Sequence, residues 1–236
     1  MIVFAAIAPH GDVDLAPELR EAMMELGRRC TADTAIVVTP HNVHVEGHFA
    51  VVTAARVGEH ETDRELARAI VDALRADGLP AVGVSYGGND PAEAEMPLDW
   101  GTEVPLRFVR TPRVVVVAPA RDRPLDEHVR AGAAVARATG DARVALIASA
   151  DHGHAHDPEG PYGFDPAAAA YDARFQELLG EQPLDFRPLA ELVDAAKADS
   201  LWQLLMLQGA TQGPAELLAY AAPSYYGMAV AMIQAT

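Results

Sequence analysis

The sequence predicts an α/β fold: a single domain over residues 1–236 with a central mixed, mostly parallel sheet flanked by helices. Three observations carry this. Short continuous apolar runs recur along the chain, as expected for strands covered on both faces. Amphipathic segments with helical spacing alternate with them. No repeat, low-complexity tract or Ser/Gly-rich linker marks a boundary, and 236 residues suffice to bury a sizeable core.

The first element is the apolar run at 2–8, which ends in Pro9-His10-Gly11. It lacks the basic n-region of a leader and reads as a buried strand. Residues 16–30 are helical, with Leu19, Met23, Leu26 and Cys30 at i, i+4, i+7 and i+11. Cys30 on that apolar face reads as a core residue. Residues 35–39 form a second strand, ending in Pro40-His41, and 48–53 a third. Residues 63–77 form an amphipathic helix with Leu66, Ile70, Val71 and Leu74 on one face, stopped by Gly78-Leu79-Pro80.

Residues 82–86 are a short strand, and Gly87-Gly88-Asn89-Asp90-Pro91 is a turn without phosphate-loop context. A helix over 100–109 opens near Thr102. Four consecutive valines make 113–118 a strong strand, followed by an alanine-rich helix over 126–139. Residues 143–149 are another apolar strand, running into the histidine-rich segment 151–157 and a loop over 158–164. Helices follow at 166–179, 188–196 and 200–208. Residues 216–220 and 226–233 close the chain, the last as a strand.

Composition removes several function classes. The net charge is −16 and half the residues are apolar. Such acidity disfavours nucleic acid and anionic membranes as partners. The apolar half excludes a disordered chain. A single cysteine excludes a disulfide framework or an all-thiolate zinc site. With no apolar run of spanning length, the expectation is a soluble cytoplasmic protein. Ser149 lacks a G-x-S-x-G elbow, which disfavours a serine hydrolase.

Nine histidines stand out in so acidic a chain, and they are clustered. His10 follows the first strand. His41 follows the second, with His44 and His48 behind it. His152, His154 and His156 follow the strand at 143–149. His60 and His128 fall in polar stretches that read as exposed. The carboxyl ends of strands in an open α/β sheet form its ligand crevice, so three strands aim imidazoles at one edge. Histidines with a carboxylate and open positions suit non-haem Fe(II), or catalytic Zn²⁺ or Mn²⁺. The carboxylate candidates are Asp12, Asp99, Asp151, Asp194 and Asp199.

Four motifs in order resemble one family. They are Pro9-His10-Gly11 paired with Thr39-Pro40-His41; the stretch from Leu98-Asp99-Trp100-Gly101-Thr102 to Leu106; Ser149-Ala150-Asp151-His152-Gly153-His154 with Gly160-Pro161-Tyr162-Gly163-Phe164; and residues 199–210. Together they resemble the class III extradiol ring-cleavage dioxygenases, relatives of the protocatechuate 4,5-dioxygenase beta subunit. That superfamily also holds the non-enzymatic Memo-like proteins.

The resemblance implies cleavage of a catechol- or aminophenol-type ring by O₂ on Fe(II). His10 and His41 match its metal histidines, and Asp199 its carboxylate ligand, with Asp194 or Glu191 as alternatives. His154 matches its acid/base histidine, with Asp151 or His152 orienting it. Trp100 stands where the family has a pocket histidine. That departure implies a different ring substrate or a weakened enzyme, with His44 or His152 as the residues to compensate.

Tyr162 and Phe164 either line the pocket or pack its loop. Arg107 and Arg110 read as a solvated helix face, with recognition of a substrate carboxylate as the alternative. Relatives assemble as homo-oligomers or with a small second subunit. Two other functional classes fit parts of the pattern: a Memo-like metal-binding interaction protein, and a zinc metallohydrolase.

Overall fold

The computed structural model describes residues 1–87, 90 and 92–234. Positions 88, 89 and 91 of the expected turn at 87–91 therefore lie outside the described residues. In chain order the elements are β1 (Ile2–Ala8), α1 (Pro17–Arg29), β2 (Thr34–Val38), β3 (Phe49–Val52), β4 (Arg56–Val57), β5 (His60–Thr62), α2 (Arg64–Ala76), β6 (Ala81–Val84), β7 (Glu95–Met96), α3 (Trp100–Phe108), β8 (Arg113–Ala118), α4 (Leu125–Ala138), β9 (Val144–Ser149), α5 (Pro166–Leu179), α6 (Val193–Ala196), α7 (Leu201–Ala210), β10 (Ala215–Ala221) and β11 (Met228–Ile233).

The strands form one mixed, mostly parallel sheet, with main path β10-β11-β1-β9-β2-β8-β5-β4-β7. Its centre is parallel: β1 on β9, β9 on β2, and β2 on β8. β11 runs antiparallel to β1 and closes one side with β10, while β3 runs antiparallel to β8. The central strands are buried on both faces, which is why they read as unbroken apolar runs. Alternate residues serve opposite layers. Ala5, Ile7, Ile36, Val38, Val115 and Val117 pack with α2, α4, α5 and α7, whereas Phe4, Ala6, Val37, Val114 and Val116 pack with α1 and α3.

Local chemistry sets the helix ends. Asp63 caps α2 by accepting from the Leu66 amide, and Asp99 caps α3 by accepting from Thr102. The Asp99 cap starts α3 at Trp100, two residues earlier than sequence spacing suggested. The helix expected over 188–196 is instead a 3-10 turn, Arg187–Glu191, followed by the single-turn α6. Leu192, at φ −107° and ψ −15°, interrupts the run between the two, while Lys197 turns left-handed and ends α6 at the expected boundary. Cys30 is the half-buried C-cap of α1 rather than a core residue. His128, read as exposed, is buried on α4 with its ring edge-on to Phe49 at 5.1 Å, because its position on α4 faces the sheet.

α7 packs against α4 at very short range. A Cβ at Gly132 would stand 1.8 Å from the Met206 carbonyl oxygen, and one at Gly209 would stand 1.8 Å from that of Val129. Backbone thus meets backbone in both directions, which only glycine permits. The contact fixes α7 and, with it, Asp199, two residues before its first turn. Among the described residues, no helix is long and apolar enough to cross a membrane.

Candidate metal centre

The carboxyl ends of β1, β2, β8 and β9 share one sheet edge, as their parallel pairing requires. They deliver His10, His41, Arg121 and the segment 151–156. β11 is antiparallel to β1, so it enters at this same edge and brings Tyr225 and Tyr226. The 193–202 strap crosses it and brings Asp199. His10, His41, Arg121, Asp151, His154, Asp199, Tyr225 and Tyr226 line a cavity of about 670 Å³.

Three ligand atoms converge there. His10 Nε2 lies 3.0 Å from His41 Nε2. Asp199 Oδ2 lies 3.5 Å from the former and 3.4 Å from the latter. The potential ligand atoms of the three residues all fall within 4.8 Å of one another. The other Asp199 oxygen, Oδ1, is buried without a hydrogen-bond partner. Two imidazole nitrogens at this spacing, beside a half-unsatisfied carboxylate, fit a divalent transition metal: ligands about 2.0–2.2 Å from one ion stand about 3 Å apart.

The surroundings prepare His10 for this. Ser149 Oγ donates to the Gly101 carbonyl, so it must accept from His10 Nδ1–H at 3.0 Å. This tautomer leaves the Nε2 lone pair for a metal. Asp151 is not beside His154, as expected, but beside His10: Oδ1 accepts from the His10 amide at 3.1 Å and Oδ2 lies 3.5 Å from Nε2. His41 is set by Thr39, whose Oγ1 accepts from the His41 amide and donates to Asp99.

In the metal-free protein, burial opposes charge on His10, but Asp151, Asp199 and Asp99 outweigh it and raise the pKa to about 9. Burial also opposes the Asp199 carboxylate, yet His10 and His41 hold it far below the usual range. A proton therefore occupies His10 at neutral pH and must leave when a cation binds. Divalent-metal affinity should rise with pH until about 9 and be accompanied by proton release. Calorimetry in buffers of different ionisation enthalpy measures this; pH-independent affinity between 6 and 9 would refute it.

The remaining expected site residues divide. His154 lines the cavity, and its Nδ1 donates to the His152 carbonyl at 2.7 Å, so the His152 backbone orients it. The His152 side chain does not reach the cavity. Its ring stacks on Phe175 at 4.0 Å and meets Ser200 Oγ at 3.2 Å, and burial lowers its pKa. The extended backbone at Asp151, which bridges to Met228, sends successive side chains to opposite faces. Trp100 lines the cavity with its ring 4.5 Å from His41. Tyr162 lines it, 6.1 Å from the His154 ring, whereas His44 and Phe164 are exposed outside its lining. Arg107 is solvated and paired with Glu103. Of the carboxylates, Asp12 and Asp99 cap helical turns, Glu191 is exposed and Asp194 lines the cavity apart from the cluster.

Sequence reasoning missed Tyr225, Tyr226 and Arg121. It also missed the brace beneath the 151–156 loop. Buried Asp172 accepts from the Gly153 amide at 2.7 Å, His156 Nε2 at 2.8 Å and the Tyr220 hydroxyl at 2.7 Å. Asp172→Ala strands one buried and two half-buried donors and should cost about 3 kcal/mol, or roughly 6–12 °C in melting temperature for a domain of this size. A thermal melt within 2 °C of wild type would show that the brace is unimportant.

Comparison with known proteins decides the family. Residues 19–232 match the family described as the catalytic LigB subunit of aromatic ring-opening dioxygenase. The chain belongs to the LigB family. A crystal structure of an uncharacterized protein from Escherichia coli K12, JW3007, shares the fold, with a TM-score of 0.70 and 18% identity over 98% of this chain and 99% of that one. No curated protein matches the chain significantly. The LigB family's chemistry is metal-dependent opening of aromatic rings with O₂, and the His10–His41–Asp199 cluster is a possible metal site for it.

Proposed function

We propose that this LigB-family chain is a non-haem Fe(II) extradiol dioxygenase that opens a catechol- or aminophenol-type ring with O₂. The supporting observation is the convergence of His10, His41 and Asp199 in a cavity that also presents His154 and three tyrosines. Two neutral imidazoles and one carboxylate would hold the iron and leave positions open for substrate and O₂. Bound iron would supply Lewis acidity toward the ring hydroxyls and the redox chemistry O₂ requires.

The protein's own groups have separable tasks. Ser149 and Asp151 keep His10 oriented. His154, with Nδ1–H committed to the His152 carbonyl, offers Nε2 to take a proton from the substrate and return it. Tyr162, Tyr225 and Tyr226 surround the His154 ring at 5.8–6.1 Å and supply aromatic walls. Trp100, in place of the family's histidine, gives the cavity an apolar wall beside His41 where a proton-transfer group would stand.

The protein prepared anaerobically with Fe(II) should convert at least one member of a panel of catechol, protocatechuate, gallate and 2-aminophenol to a coloured ring-opened product. His10→Ala should abolish this. Iron bound with no turnover across the panel would overturn the proposal, and so would activity with zinc alone.

A further inference from the structure

Resting on the reading of His10, His41 and Asp199 as metal ligands and of His154 as the acid/base group, we propose that His152 is a positioning residue. Through Ser200 it latches the strap that carries Asp199 to the loop that carries His154, so that the two keep one mutual geometry.

The ties fall on both sides of Asp199. Before it, the His154 amide donates to the Ala196 carbonyl at 2.7 Å, while His154 Nδ1 donates to the His152 carbonyl at 2.7 Å. After it, His152 Nδ1 and Ser200 Oγ share a hydrogen bond of 3.2 Å, and Ser200 Oγ shares another of 2.9 Å with the Tyr171 hydroxyl on α5. The carboxylate depends on such ties. Among the described residues its Oδ1 has no hydrogen-bond partner, and its Oδ2 is paired with the His10 and His41 imidazoles. Its place in the cluster is therefore set through the main chain that carries it.

Two features set the Ser200 bond apart. Ser200 is the N-cap of α7, where a serine ordinarily turns its oxygen onto the free amides of the first turn. Here it makes no such bond and engages His152 and Tyr171 instead. His152, for its part, is fully buried and stacked on Phe175 at 4.0 Å, with Nε2 lacking a partner. A leucine would fill that site against Phe175 without leaving a buried nitrogen unpaired. What the imidazole adds over an apolar side chain is the Nδ1 bond.

The test uses two variants in which stability and metal affinity should move in opposite directions. His152→Leu keeps the apolar volume and loses the bond. His152→Asn keeps a polar atom near the place of Nδ1 and loses the stack. Zinc affinity is read by competition with a chromophoric chelator, beside a thermal melt of the metal-free protein. His152→Leu should melt no more than about 2 °C below wild type. It should nevertheless bind zinc about 10–100-fold more weakly, the range for losing a group that orients a ligand. His152→Asn should melt lower yet hold zinc within about threefold of wild type. Ser200→Ala should repeat the affinity loss with His152 intact.

Zinc binding by His152→Asn no tighter than by His152→Leu would overturn the proposal, since affinity would then follow packing. So would His152→Leu and Ser200→Ala both binding within about threefold of wild type. His10→Ala separates the two readings. If it loses zinc while His152→Leu and Ser200→Ala keep it, only the role of His152 falls. If wild type binds no zinc, or His10→Ala binds it equally well, the metal centre falls and this proposal with it.

Discussion

Asp199→Ala is expected to lower divalent-metal affinity by more than about 100-fold and to abolish ring opening. Loss of a residue that only orients a ligand typically costs 10–100-fold in affinity; Asp199 stands closer than that, with Oδ2 within 3.5 Å of both imidazole nitrogens. It is also the group that offsets the charge of the ion. The fold should survive, because Arg121 bonds the Asp199 main-chain carbonyl, which alanine keeps, and α7 is held through Gly132 and Gly209. Metal content after dialysis, read beside a thermal melt of the metal-free protein, separates loss of the ion from loss of the fold. Asp151→Ala provides the internal scale, with a smaller deficit of 10–100-fold. Full metal occupancy in Asp199→Ala would exclude this carboxylate as a ligand.

His154→Ala should reduce turnover by about 10²–10⁴-fold, the range for losing a positioned acid/base group, with iron content unchanged. The separation follows from the geometry: His154 lines the cavity but does not belong to the His10–His41–Asp199 cluster. The loss should fall mainly on kcat and flatten its pH profile, because the missing group moves a proton rather than anchoring the ring. Parallel loss of iron, or a rate within threefold of wild type, would remove His154 from that role.

The layered α/β fold was legible because β1, β2, β8 and β9 are buried on both faces, leaving continuous apolar runs in the sequence. The two-residue strands β4 and β7 left no such trace, being shorter than any periodicity. His10 and His41 were legible because each stands just past a buried strand. Asp199 was one of several carboxylates until packing selected it: nothing local to 191–199 announces that the helix is interrupted at Leu192, or that a left-handed Lys197 just past its end turns the next segment toward the histidines. The partner of Asp151 and the inward turn of His152 depend on the backbone's alternation across a bridge to Met228, which no single-chain pattern encodes. Tyr225 and Tyr226 were hidden by an assumption of strand continuity at 226. Once β11 is known to be antiparallel to β1, its entry at the crevice follows.

The reciprocal glycine contact between α4 and α7 limits how this protein can diversify. Neither helix can slide without driving a side chain into a carbonyl, so the carboxylate's position relative to the sheet is effectively frozen. Trp100, Tyr162 and Lys197 are solvent-facing at the cavity and carry no comparable packing constraint. Change in substrate preference is therefore channelled to the mouth of the cavity, and a library that randomises Trp100 and Tyr162, and holds the left-handed position 197 to lysine, glycine or asparagine, while leaving residues 132 and 209 untouched explores new substrates at little cost to folding.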